Sequence, residues 1–74
     1  MQVTIKLFAM LKHGRFDTAQ RECLENTTIQ NILDDLAIPP GEAAIIFRNG
    51  RHAAPKDVLQ DNDAVSIFPP IGGG

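Results

Sequence analysis

The chain has 74 residues, 43% of them hydrophobic, with 7 Lys plus Arg against 9 Asp plus Glu and a formal charge of −2. This is one domain near the lower size limit for folding without staples, too apolar for a disordered chain and without the ~20 consecutive apolar residues of a membrane span. It has no basic run to follow a phosphate backbone, and four Phe with no Trp or Tyr make a poor stacking platform, so nucleic acid is not an expected partner.

The opening residues alternate, with Val3, Ile5 and Leu7 on one face and Thr4 and Lys6 on the other, which predicts a half-buried strand. Met10 and Leu11 can start a helical turn before Gly14 interrupts it. Residues 21–24 suggest a second short strand, with Glu22 and Leu24 alternating against Cys23. The clearest local signal is a helix. Thr27 and Gln30 fit the capping-box spacing, Ile29, Ile32, Leu33 and Leu36 follow as one apolar stripe, and Pro39-Pro40 stops the run. Asp34 and Asp35 stand at the negative end of that helix, a small electrostatic cost. Residues 44–47 and 51–54 flank Asn49-Gly50, the strongest short hairpin signal, because both turn residues tolerate positive φ. Residues 55–59 read as a connection and Asp61-Asn62-Asp63 as a tight turn. A last strand over residues 64–68 then places Val65 and Ile67 on one face, and Pro69-Pro70 ends it.

The order strand, strand, helix, strand pair, strand is an α+β pattern and suggests a β-grasp roll. In that roll a mixed sheet carries one main helix, and the last strand runs parallel to the first. The expected core is Val3, Ile5, Leu7, Ile29, Ile32, Leu33, Leu36, Val65 and Ile67. The expected division is a domain over residues 1–68 and an extended tail over 69–74.

Catalytic constellations are missing. There is no phosphate-binding Gly-rich loop ending in Lys-Ser or Lys-Thr and no Cys/His cluster at metal spacing, so no metal site is expected. His13 and His52 stand alone in sequence. Cys23 reads as a small residue filling a core gap, and as a single Cys without a signal-like N-terminus it points to a reducing cytoplasm. Asp61 and Asp63 read as turn caps rather than as an acid–base pair. Arg48 and Arg51 flank the hairpin turn and read as solvated. Attention falls on the end of the sequence, Gly72-Gly73-Gly74, which follows the stiff Phe68-Pro69-Pro70-Ile71. Two prolines hold the chain extended, and six extended residues from Pro69 reach about 20 Å. Glycines without Cβ fit a narrow tunnel and would bring the Gly74 carboxylate into another protein's active site. A carboxylate is a poor electrophile, and with no ATP site visible in this chain its activation falls to a partner.

Phe68-Pro69-Pro70-Ile71-Gly72-Gly73-Gly74 resembles the Phe-Pro-Pro-x-x-Gly-Gly ending of the MoaD/ThiS family of ubiquitin-like sulfur carriers, which includes the small subunit of molybdopterin synthase. Leu59-Gln60-Asp61-Asn62-Asp63-Ala64-Val65 is similar to its Leu-x-Asp-Gly-Asp-x-Val turn, with Asn62 replacing Gly. Asn49-Gly50-Arg51 and Leu7-Phe8-Ala9 resemble its hairpin and first strand, whereas residues 13–20 match no pattern of the family. The resemblance implies a carrier that is the substrate of an enzyme rather than a catalyst. An E1-like adenylating enzyme would spend ATP on Gly74, sulfur would replace the activated oxygen to give a thiocarboxylate, and no cofactor would be bound. The sulfur would pass to a molybdopterin synthase large subunit or to a thiazole synthase. The same chemistry serves a second reading, a modifier conjugated to lysines through Gly74. A third, an RNA-binding module, is opposed by the acidic balance. Alternation places Phe8 and Phe68 opposite the core residues of their strands. With Pro69, Pro70, Ile71, Gly72 and Gly73 they are the expected partner-binding residues.

Overall fold

The computed structural model describes residues 1–70. Five strands form one sheet in the order β2-β1-β5-β3-β4: β1 (Gln2–Leu7), β2 (Thr18–Glu22), β3 (Ile45–Arg48), β4 (Arg51–His52) and β5 (Asp63–Phe68). β5 lies between β1 and β3. It pairs in parallel with β1, Val3 opposite Asp63 and Leu7 opposite Ile67, while every other pairing is antiparallel. One helix, α1 (Ile29–Asp35), covers one face of the sheet, as the β-grasp reading requires.

The core is built from period-2 residues of the strands and period-3.6 residues of the helix. All the residues expected there are buried except Leu36, which is half-buried at the helix end. Leu11, Ile38, Ile46 and Leu59 complete it. Leu11 comes from a 3₁₀ turn over Ala9–Lys12 that opens on a left-handed Ala9 (φ +53°), so the expected helical turn exists and serves to drop one leucine inward.

Several boundaries differ from the sequence reading for physical reasons. β2 occupies residues 18–22 rather than 21–24, because its register is set by β1: Lys6 pairs with Thr18 and Gln2 with Glu22. Leu24, expected in the strand, is 85% exposed beyond it. The capping box is Thr28 with Asn31, one residue after the predicted Thr27 with Gln30. Thr28 Oγ1 accepts the Asn31 N–H at 3.1 Å, and Asn31 Oδ1 accepts the Thr28 N–H at 2.9 Å. Thr27 is occupied elsewhere. Its carbonyl accepts the Leu59 N–H and its hydroxyl donates to the Leu24 carbonyl, part of a bridge that pairs Thr28 with Val58.

The helix also stops before the prolines. Ala37 takes a left-handed conformation (φ +56°), the Ala37 N–H donates to the Asp34 carbonyl, and the Ile38 N–H donates to the Leu33 carbonyl. This is a Schellman turn, with buried Ile38 supplying its hydrophobic contact. The last turn contains no basic residue, yet its carbonyls are not left to Asp34 and Asp35 alone. Arg15 reaches across from the β1–β2 connection, Nε to the Leu36 carbonyl at 2.9 Å, Nη2 to that of Ala37 at 3.1 Å and Nη1 to that of Leu11 at 3.0 Å. A cation at the negative helix end offsets the two aspartates.

Arg48, expected to be solvated, is a structural ion pair. Its Nε donates to Oδ2 of buried Asp63 at 2.6 Å, while Asn49 Nδ2 and the Gln60 N–H also donate to that carboxylate. Asn49 Oδ1 in turn accepts the Ala64 N–H. The β3–β4 turn, with Asn49 and Gly50 both at positive φ, is thereby tied to the start of β5. Burial works against the Asp63 charge, but the hydrogen bonds from Gln60, Asn49 and Arg48 outweigh it and hold the pKa below the ordinary value of 3.8.

Two outcomes test this packing. Leu33→Ala should cost about 2–5 kcal/mol in urea unfolding, a large share of the stability of so small a domain, and an unchanged midpoint would mean that α1 does not pack on the sheet. A depressed carboxylate pKa contributes stability that is present above the unfolded-state value and lost as pH falls through the folded-state value. Stability should therefore hold at neutral pH and decline below about pH 4, and Asp63→Asn should lower the neutral plateau while flattening that decline. An acid limb identical in the variant would remove Asp63 as its source.

Candidate functional site

With α1 on one face, the opposite face of the sheet is left without a covering helix among the described residues. Phe8 directly follows Leu7 and continues the β1 alternation onto this open face, its N–H donating to the Ile67 carbonyl. Phe68 ends β5 on the same face. Because Leu7 is level with Ile67, the parallel register brings the two phenyl rings together. Their centroids are 4.2 Å apart and the planes 11° from parallel. The sequence placed these two side by side, and the structure does the same.

The cluster is larger than the sequence suggested. Phe47 of β3 meets Phe68 edge-on at 5.8 Å, and His52 of β4 leans on Phe47 at 4.7 Å. Ile45, level with Phe68 in the antiparallel register, belongs to the same face. Phe47 and Ile45 share parity within β3. The missing information was the register of β3 against β5, which decides which face that parity occupies. Such a pile of aromatic rings carries favourable face and edge contacts and still leaves Phe8 36% exposed. An apolar patch of this kind on a small domain fits a protein–protein contact.

Pro69 and Pro70 follow at once. Pro69 turns inward and is buried, whereas Pro70 is exposed, so of the two only Pro70 presents a surface. Ile71, Gly72, Gly73 and Gly74 lie outside the described residues.

The other sequence candidates stand apart from this cluster. Cys23 is half-buried against the core, His13 is exposed, and Asp61 caps the chain by accepting the Gln2 N–H at 2.7 Å. No group of three or more His, Cys, Asp or Glu capable of holding a metal occurs among the described residues. A depression of about 500 Å³ beside the hairpin is lined by Arg48, Asn49, Arg51, His52, Ala53 and Asp57. It is open, and both Arg48 and Asp57 are committed to internal hydrogen bonds, so it does not enclose a small molecule.

A family model described as the ThiS family matches residues 5–74. No curated protein matches the chain. Among solved structures, SAMP1 from Haloferax volcanii is similar at a TM-score of 0.76 and 23% identity over 100% of both chains. Subunit 1 of a molybdopterin converting factor from Pyrococcus furiosus gives 0.76 and 22%, covering 96% of this chain and 99% of that one. The protein-protein complex of subunits 1 and 2 of the molybdopterin-converting factor from Helicobacter pylori contains a chain similar at 0.67 and 23%, over 100% of both. At these identities the three establish the shared fold.

Stacking of Phe8 on Phe68 can be measured in the free protein. A double-mutant cycle on Phe8→Ala and Phe68→Ala should return a coupling of about 0.5–1.5 kcal/mol in urea unfolding, and strictly additive effects would show that the rings do not meet in solution.

Proposed function

The chain belongs to the ThiS family, and from that membership we propose that it is a sulfur carrier whose working group is the carboxylate of Gly74. The observation that carries this reading is the aromatic patch of Phe8, Phe68 and Phe47 at the point where β5 gives way to Pro69-Pro70. A partner that grips this patch holds a fixed origin for the residues that follow, so that a glycine segment of defined length can reach an active site a set distance away. Docking of a rigid domain confers affinity, and the tail supplies only the reacting group.

In this reading an E1-like enzyme binds ATP and transfers AMP to the Gly74 carboxylate, releasing pyrophosphate. Hydrosulfide then attacks the acyl carbon, expels AMP and leaves a thiocarboxylate. The sulfur passes to a second partner, either a molybdopterin synthase large subunit or a thiazole synthase. The Helicobacter pylori neighbour, a complex of subunits 1 and 2, supports the first of these. The chain itself is substrate and carrier, and ATP belongs to the partner. Phe8, Phe68 and Pro70 make the docking contacts, while Ile71, Gly72 and Gly73 thread toward the active site.

A modifier role through the same Gly74 is the second reading. The observation favouring it is the likeness to a protein named small archaeal modifier protein 1. Both readings begin with an activated glycine and differ in what attacks it, a sulfur donor or a lysine amine.

The test is the intact mass of the chain after incubation with an activating enzyme, ATP and a sulfur source. The expected product carries sulfur in place of one oxygen, and lysine-linked conjugates without that product would favour the modifier. Phe68→Ala should weaken binding to the activating enzyme by roughly 1–2 kcal/mol with the fold intact. Gly73→Ala should abolish adenylation without moving the melting temperature. Thiocarboxylate formation on a chain carrying uncleaved residues beyond Gly74 would overturn the proposal.

A further inference from the structure

The sheet has a second unpartnered feature, on the side away from the aromatic cluster. β2 is the outermost strand on its side and pairs only with β1. The ladder fixes which of its backbone groups are free. Met1 and Cys23 exchange hydrogen bonds and Leu7 donates to the Asp17 carbonyl, so the odd-numbered residues 17–23 point their N–H and C=O toward β1. By alternation, the backbone groups of Thr18, Gln20 and Glu22 point outward, and no strand lies beyond them among the described residues.

Where β2 ends, a groove of about 350 Å³ opens between the strand and α1, its wall running from Glu22, Cys23 and Leu24 to Asn31, Ile32 and Asp35. Leu24, 85% exposed, stands at the mouth of this groove with Cys23 and Ile32 behind it. Glu22 and Asp35 line it, the Glu22 carboxylate pairing with the Met1 ammonium at 2.9 Å; Asp34 and Glu25 are exposed nearby, and no Lys or Arg lines it, so the rim is acidic on balance. The nearest cation on β2, Arg21, has its guanidinium over the Phe16 ring at 5.5 Å.

The geometry points to a second docking site, in which an extended peptide segment of a partner protein adds a strand to β2, places apolar side chains against Leu24 and Ile32, and carries Lys or Arg that face Asp35 and the acidic rim beside it. Main-chain pairing to an open edge supplies affinity, and alternate side-chain pockets supply selectivity. Charge decides between this occupant and a second copy of the chain. Joining two β2 edges would set the acidic rims of both copies side by side, whereas a basic peptide neutralises them. The site shares no residue with the Phe8–Phe68 cluster or the tail. A partner can therefore hold the carrier here while the activating enzyme or sulfur acceptor uses the other face.

The test is titration of the ¹⁵N-labelled full chain with the capped peptide Lys-Val-Lys-Val-Ile-Val-Lys, alongside the same peptide with every Lys replaced by Glu. The basic peptide should shift resonances of β2 and α1 and slow amide exchange at Thr18, Gln20 and Glu22 at least tenfold near saturation, leaving Phe8 and Phe68 unmoved. Leu24→Ala and Asp35→Lys, both at exposed positions, should each weaken binding several-fold with an unchanged melting temperature. Equal binding of the Glu peptide, shifts centred on Phe8 and Phe68, no binding at millimolar peptide, or a β2-mediated dimer in sedimentation would each overturn the proposal.

Discussion

Parallel pairing of β1 with β5 brings the two ends of the described chain to the centre of the sheet, and the arrangement of the molecule follows from it. Parallel neighbours cannot be joined by a tight turn, so the chain between them must cross over, and α1 provides that crossing. The helix then covers one face, and the other is left without a covering helix among the described residues. The same register sets Phe8 beside Phe68 and releases the chain at Pro69 next to the rings. Core, aromatic cluster and the position of Pro69 are three results of one pairing.

Two polar clusters keep that pairing in place from outside the hydrophobic core. Arg15 joins the β1–β2 connection to the end of α1, donating to the carbonyls of Leu36 and Ala37 there and of Leu11 in the connection itself, and so supplies the cation that the last turn of the helix lacks. Asp63 gathers Arg48, Asn49 and Gln60 at the first residue of β5, so the hairpin and the last strand share a joint. A buried carboxylate is tolerable only when its acceptor sites are filled, as they are here.

The sequence made the elements legible wherever a short-range rule applied. Alternation placed β1 and β5, and Asn49-Gly50 marked the hairpin. The helix stripe of Ile29, Ile32 and Leu33 stood out against its polar neighbours. Asn62, at φ +69°, holds the left-handed turn that its side chain tolerates. What escaped depended on partners distant in sequence. The capping box fell on Thr28 and Asn31, one residue beyond the predicted pair, where Thr28 also bridges Val58. β2 shifted because β1 dictates its register, and Leu24 was left outside. Arg48 read as a solvated cation and Arg15 drew no reading at all, since nothing local reveals a carboxylate or carbonyl waiting across the fold. The stacked phenylalanines of the candidate site were foreseeable from parity plus a parallel register. Phe47, Ile45 and His52 required the register of β3.

The central position of β5 also governs the order in which the molecule comes into being. Val3, near the start of the chain, finds its neighbour Asp63 only after nearly all of the intervening sequence exists, so the decisive contacts are long-range and the early strands wait for them. During synthesis the β1–β2 hairpin and α1 emerge without the strand that must sit beside them. A chain interrupted before β5 lacks the middle of its sheet and the fully buried Val65 and Ile67, and offers exposed apolar surface to the proteases and chaperones that sort incomplete chains. Any copy that does fold therefore already includes β5, with Phe68 at its end. Completion of the sheet is thus the point at which a finished copy becomes distinguishable from an interrupted one.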